Sequence, residues 1–261
     1  MIYCEYPLPI PLNEFVDSMY YLKGDMGVSE KDILPDFKTD LIFLFDTKLK
    51  GFDGHAGYTI HNGIINGFRR EPFHFAYTGH VEMVGIRFLP FGFTQLFGIH
   101  QKELTSLLDP TDVLRHKEYS EITERLSSES EPKLKFSILE SWLMDVLGKV
   151  RISTSLAIRA IHRITSTRGI MPLMSICHHS PSEYKQLQRF CHDSLDIAPK
   201  YYSRMLRFEH LHRCIQADPR PDWLAIVAGF EFTDQSHLIR EIRHFTGLPP
   251  KSFLSKINSI I

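Results

Sequence analysis

Cysteine is scarce in this chain of 261 residues: Cys4, Cys177, Cys191 and Cys214, with no C-x-x-C spacing among them. Three of the four fall on apolar helical faces, where a small buried side chain is the expected role. That usage implies a reduced, cytoplasmic protein. Long apolar runs are also missing, since a stretch such as 40–46 (DLIFLFD) is far too short to cross a bilayer. The N-terminal MIYCEYPLPIPL carries Glu5 and no basic run, so it does not read as a secretory signal. Catalytic signatures are absent too. There is no G-x-S-x-G elbow, no phosphate-cradling G-x-x-x-x-G-K-[ST], no G-x-G-x-x-G after a strand and no H-E-x-x-H. His80-Val-Glu82 could open a zinc-deaminase signature, but no P-C-x-x-C completes it, and a strand pair is the simpler reading. Neither an enzyme nor a cofactor is expected.

What is present is divided unevenly. The net charge is only −1, yet residues 1–150 hold 15 Lys and Arg against 22 Asp and Glu, a net of −7. Residues 151–261 hold 15 against 9, a net of +6, and 8 of the 14 histidines. A basic half joined to an acidic half suits a nucleic-acid-binding module carrying a separate domain. The domain boundary is placed near 149–154, giving domains 1–150 and 151–261.

The acidic half begins with an extended, proline-punctuated segment and a short aromatic run over 7–24. Short strand-like runs follow at 40–46, 57–61, 63–68, 73–77 and 81–88, separated by Gly, Asn and Pro. In the last run Val84, Ile86 and Phe88 share one face. Five or more short strands at such spacing predict a small barrel or sandwich. Helices are predicted near 101–108, 117–127 and 132–149, the last with Leu134, Ile138, Trp142, Met144 and Leu147 as its apolar stripe.

The basic half opens with a helix over 152–167, burying Leu156, Ile158, Ile161 and Ile164. A short apolar helix (Leu173, Met174, Ile176, Cys177) then breaks at Ser180-Pro181, and a longer one starts at Ser182 with Glu183 in its first turn. Leu187, Phe190, Cys191 and Leu195 form its buried stripe, while Tyr184, Lys185, Gln188, Arg189 and His192 face outward. About fifty residues later the grammar repeats. A short apolar helix, 223–230, is followed by a capped helix from Thr233-Asp234 that buries Leu238, Ile242 and Phe245 and ends at Gly247 and Pro249-Pro250. Around the rest of this helix lie Gln235, Ser236, His237, Ile239, Arg240 and Arg243.

The tandem helix-turn-helix pattern resembles the AraC/XylS family of bacterial transcription regulators. The resemblance is carried by 187–191 (LQRFC), Ala198-Pro199 with Tyr201 or Tyr202, Arg207, 232–247 (FTDQSHLIREIRHFTG) and 249–253 (PPKSF), and covers roughly 155–256. Two turn positions depart from it, because Asp196 and Glu231 stand where the family usually has Gly. Both tolerate positive φ less well, Asp the better of the two. More weakly, 34–46 (LPDFKTDLIFLFD) and 84–98 (VGIRFLPFGFTQLFG) resemble the sensor domain of one branch of these regulators, with Phe37 in place of a usual Gly.

The resemblance implies an α+β protein. Its N-terminal part would be a cupin-like β-barrel with flanking helices, for effector binding or dimerisation; its C-terminal part would be all-helical, with two helix-turn-helix units. It assigns base contacts to Lys185, Gln188 and Arg189 in the first unit and to Gln235, Ser236 and Arg240 in the second. Arg can pair with guanine O6/N7 and Gln with adenine N6/N7. Tyr184 adds a further DNA contact, and Lys200, Arg204, Arg207, His237 and Lys251 are expected on phosphates, which position without specifying. The helix from about Lys200 to Ile215 would join the units and set two recognition helices, 182–194 and 234–246, about 34 Å apart in successive major grooves.

Expected partners are double-stranded DNA, a small-molecule effector, RNA polymerase and a second copy of the chain as homodimer; no membrane is expected. In the barrel, Asp36, Asp40, Arg69, Arg70 and Arg87 are the candidate ligand-binding residues, set against a role as exposed strand-end charges. No metal is expected. Cys177 and Cys191 face the core while His178, His179 and His192 face out, and His55, His61, His74 and His80 lack the usual cupin His-x-His pair. Two rival readings remain: an enzymatic barrel merely localised by the DNA-binding half, and an interaction scaffold that no longer binds DNA. Retention of Gln188-Arg189 and of Gln235 with Arg240 argues against the scaffold.

Overall fold

The computed structural model describes residues 1–33, 38–45, 49–52, 57–60, 62–67, 73–104, 107–151, 155–218 and 221–256. The chain forms two compact units. One comprises Met1–Glu30, Phe37–Arg69 and His74–Ile152; the other comprises Ser153–Ile261 with Lys31–Asp36 and Arg70–Phe73.

The first unit is built on an antiparallel sheet of β1 (Ile2–Tyr6), β2 (Val16–Ile33), β3 (Thr39–Leu44), β4 (Leu49–Phe52), β5 (Gly57–Ile60), β6 (Gly63–Asn66), β7 (Phe73–Phe88) and β8 (Leu107–Leu108). Neighbours run β1-β2-β7-β3-β6-β8, with the β4-β5 pair attached to β7. Among the described residues the sheet does not close, so the cupin-like barrel is realised as an open sheet. The runs 73–77 and 81–88 are one strand, because Gly79 takes a φ of +88 with open space around it and lets the chain bend without leaving the ladder. Strands β1 and β2 pair across the extended, proline-punctuated N-terminal segment, with Ile2 opposite Lys23 and Tyr6 opposite Met19. The helix expected at 101–108 is a single 3-10 turn, Gln101–Glu103, followed by β8.

Helices α1 (Gly92–Phe97), α2 (Pro110–Val113), α3 (His116–Ser127) and α4 (Pro132–Lys149) complete this unit. Its core joins Leu41 and Phe43 of β3 and Val84, Ile86 and Phe88 of β7 to Tyr119, Phe136, Leu139 and Leu143 of the helices. The buried stripe of α4 is Phe136, Leu139, Leu143 and Val146; of the expected stripe Ile138, Trp142 and Leu147 are partly buried against the same core, whereas Leu134 and Met144 are 46% and 40% exposed. This helix is apolar on two flanks, and the flank that wins is the one whose Phe136 stacks on Tyr6 at 5.2 Å. Lys135 is buried beside it, its Nζ donating to the Leu126 carbonyl at 2.5 Å and lying 3.8 Å from the centre of the Phe45 ring.

The second unit is helical: α5 (Leu156–Ser166), α6 (Leu173–Ile176), α7 (Pro181–Leu195), α8 (Pro199–Ala217), α9 (Trp223–Gly229), α10 (Gln235–Thr246) and α11 (Pro250–Lys256). Ile158, Ile161 and Ile164 of α5 are buried as expected, whereas Leu156 is partly exposed. Ser155 caps α5 and Asp222 caps α9. The cap of α7 is Ser180, with Pro181 at the first helical position, so the helix starts one residue earlier than its sequence suggests. Asp234 caps α10 through a 2.7 Å bond from the His237 N–H, and Gly247 ends it at a φ of +68.

Candidate nucleic-acid interface

Each recognition helix buries one stripe and exposes the other. On α7, Leu187, Cys191 and Leu195 have no exposed surface, and burial pushes the Cys191 thiol up to about 12. Lys185, Gln188, Arg189 and His192 are exposed on the opposite side, and Tyr184 is half-buried. On α10, Leu238, Ile242 and Phe245 are buried, while Gln235, Ser236, Arg240 and Arg243 are exposed and His237 is half-buried. Lys200 at the start of α8 and Lys251 on α11 are also exposed.

The turns that aim these helices use the left-handed region without glycine. Asp196 has a φ of 54 and Glu231 a φ of 51, so both take the left-handed backbone that favours glycine despite their side chains. The first turn adds His178 and His179 at 50 and 56. His179 N–H closes on the Met174 carbonyl at 2.7 Å, and Phe232 N–H on the Val227 carbonyl at 3.0 Å. Each turn is also gripped by an arginine from the helix that precedes its unit. Arg163 of α5 donates to the Ile176 carbonyl at 3.4 Å, and Arg207 of α8 donates to the Phe230 carbonyl at 3.5 Å. The repeat is therefore three helices long, α5-α6-α7 and α8-α9-α10.

Helix α8 serves both units. Toward the first, Tyr202 hydrogen-bonds Thr165 Oγ1 at 2.9 Å, and Ser203 Oγ donates to the Gly169 carbonyl at 2.9 Å. A side chain at Gly169 would lie 1.9 Å from the Ser203 carbonyl oxygen, so only glycine fits there. Toward the second, Phe208 stacks on Phe245 at 4.9 Å, and the Arg207 guanidinium lies 4.9 Å from the centre of the Phe232 ring. Arg204 forks onto Glu241 of α10, with Nη2–Oε1 at 2.7 Å and Nε–Oε2 at 3.0 Å. Burial lowers the pKa of Arg207, and its Nε is buried without a hydrogen-bond partner. Arg204 and Arg207 are both half-buried, Arg204 held on Glu241 and Arg207 against the second turn.

Glu241 is the residue that sequence reading missed. It sits on the buried flank of α10, three residues after Leu238, where a carboxylate needs a partner. The partner is 37 residues away. Around the pair lies a cavity of about 610 Å³, walled by Lys200, Arg204 and Arg207 from α8 and by Thr233, His237, Arg240 and His244 from the other side.

In the first unit Asp40 and Arg87 face each other across β3 and β7 and pair through two bonds of 2.8 and 3.1 Å, Asp40 being buried. Asp36, Arg69 and Arg70 lie outside the described residues, as do His55, His61 and the side chain of His74. Among the described residues no helix is long and apolar enough to cross a membrane.

Residues 5–108 match the family model described as a domain of unknown function, DUF6597. No curated protein matches the chain significantly. Solved structures that resemble it are of ToxT from Vibrio cholerae. One at 1.65 Å resolution is 11% identical, covering 92% of this chain and 98% of that one with a TM-score of 0.47. An apo variant is 12% identical, covering 92% and 97% with a TM-score of 0.46.

Proposed function

We propose that the protein is a DNA-binding transcription regulator whose recognition helices α7 and α10 enter successive major grooves of one duplex. The observation that carries this reading is the doubled unit. Two capped amphipathic helices expose Lys185, Gln188 and Arg189 in one and Gln235, Ser236 and Arg240 in the other, within a half-chain of net charge +6. Single solvated helices often show such faces, but two copies built on the same three-helix plan and fixed to one helix, α8, form a reader of two sites. Domain 151–261 is the DNA-binding part, and domain 1–150 responds to a small-molecule effector or mediates self-association. Its paired Asp40 and Arg87 are the ligand contacts we assign there. Lys200, His237 and Lys251 meet phosphates, Tyr184 lies against the first groove, and Arg204 and Arg207 hold the second helix in position. The protein acts in the cytoplasm with RNA polymerase and without enzymatic activity.

Replacing Arg189 or Arg240 by Ala is expected to weaken specific binding by about 1–3 kcal/mol each and to relax base preference at one position of the site. Unchanged affinity and preference in both variants would refute the assignment of these helices.

A further inference from the structure

Strand β1 ends one side of the sheet, since the strand order begins β1-β2-β7. Among the described residues, the side of β1 turned away from β2 meets no strand. An edge of that kind offers a row of backbone N–H and C=O groups to any extended chain, and folded proteins block it with proline, lysine or a bulge. This edge is not blocked. The five residues of β1, IYCEY, contain no proline and no cation, and they pair with β2 in unbroken register from Ile2–Lys23 to Tyr6–Met19. Their one charge, Glu5, accepts a hydrogen bond from the Tyr3 hydroxyl on the same strand. Cys4 and Tyr6 pack on the core, yet Ile2 and Tyr3 are each 56% exposed.

The order of residues in β1 says what fits this edge. Two copies of a strand related by a two-fold axis pair antiparallel, and an axis at Cys4 is the one that pairs all five residues. It sets Tyr3 against the partner's Glu5 and Ile2 against the partner's Tyr6. A phenol donor then meets a carboxylate twice, and the exposed Ile2 gains an aromatic neighbour. An axis at Glu5 would oppose two carboxylates, and one at Tyr3 would leave Tyr6 unpaired. We propose that β1 joins the β1 of a second copy of this chain in the Cys4 register, making one continuous sheet across a homodimer. A seam of five residues from each copy is small beside the interface of a stable complex, so the dimer is weak and concentration-dependent. The seam rests on the self-association given to domain 1–150 and names its surface; it does not depend on DNA binding.

Sedimentation of the full chain over a dilution series, without DNA, tests the register through Tyr3→Glu and Tyr3→Lys. Position 3 is exposed, and both variants lose the same hydroxyl bond to Glu5 within the chain. They differ in the sign of the charge set against the partner's Glu5, once on each side of the axis. The wild type is expected to dimerise reversibly. Tyr3→Glu, with like charges opposed at both places, should dissociate about tenfold more readily than Tyr3→Lys, which forms ion pairs there. Adding Glu5→Lys to Tyr3→Glu should restore the dimer to the level of Tyr3→Lys. A dimer with equal dissociation constants in the two single variants would overturn the seam and leave self-association to another surface. A wild type that stays monomeric throughout the series would overturn both.

Discussion

The two helix-turn-helix units carry the same plan but are fastened to α8 by different chemistry. The first is seated through hydroxyls, Tyr202 to Thr165 and Ser203 to the Gly169 carbonyl, under a glycine that allows close approach. The second is seated through guanidinium groups, Arg204 on Glu241 and Arg207 on the turn, with an aromatic stack of Phe208 on Phe245 behind them. Neutral hydroxyl bonds cost little to bury and contribute about 1 kcal/mol each. A half-buried ion pair adds little over an apolar substitute, yet removing one partner strands the other charge. The first unit should therefore tolerate loss of a contact, whereas the second should be brittle.

The largest test of that contrast is Glu241→Ala. Breaking a fully buried pair costs about 3–5 kcal/mol, and the cost here falls near the lower end because the Arg204 side chain keeps 28% of its surface exposed against 7% for Glu241. Thr165→Val, the matching loss in the first unit, should cost about 1 kcal/mol. Denaturant unfolding of both variants, with Arg204→Ala/Glu241→Ala as the double mutant, measures the difference. Equal costs would remove the contrast.

A second difference is acid sensitivity. His212 of α8 is buried, packs 5.7 Å from the ring centre of Phe253 in α11, and is pushed down to about 4 by burial. The unfolded chain takes up this proton near pH 6.5 and the folded chain only near pH 4, so stability falls as pH drops through that window and levels off below it. Between pH 7.5 and pH 5 the loss should be about 2 kcal/mol, at 1.36 kcal/mol per pH unit across the window. His212→Leu should flatten this part of the pH profile of thermal unfolding; a profile parallel to that of the wild type would contradict the assignment.

The smallest effects concern the turns. Glu231→Gly should stabilise the fold by about 0.5–1 kcal/mol, since the left-handed conformation costs a side chain about 1–2 kcal/mol and glycine's extra freedom in the unfolded chain takes back part of it. Asp196→Gly should gain less, because Asp tolerates that conformation better. Thermal unfolding of the two variants checks the order, and a loss of stability in both would show that their side chains are needed.

How much of this was legible follows from where each signal lies along the chain. The recognition helices announce themselves locally, through apolar residues at helical spacing, Asp234 as a cap and Gly247 as a stop, whereas Ser180, the cap of the first, reads in sequence as part of the break before it. The exposed faces follow from that spacing alone. The sheet was only partly legible, because β7 reads as two strands unless Gly79 is known to bend within one, and the residues of β1 find their partners 13 to 21 residues away. The stripe of α4 was ambiguous because both flanks are apolar, and only packing on Tyr6 and the sheet decides between them. The Arg204–Glu241 pair was invisible for the same reason. Nothing within one helix of either residue indicates that they meet.

The central claim is that two units on α8 read DNA together. Its most direct test is equilibrium binding of the full chain to the duplex upstream of its own gene and to a scrambled duplex of equal length, over a range of salt. The account predicts tight binding to the first, much weaker binding to the second, and a steep fall of both with salt. Equal, weak binding to the two duplexes would contradict it.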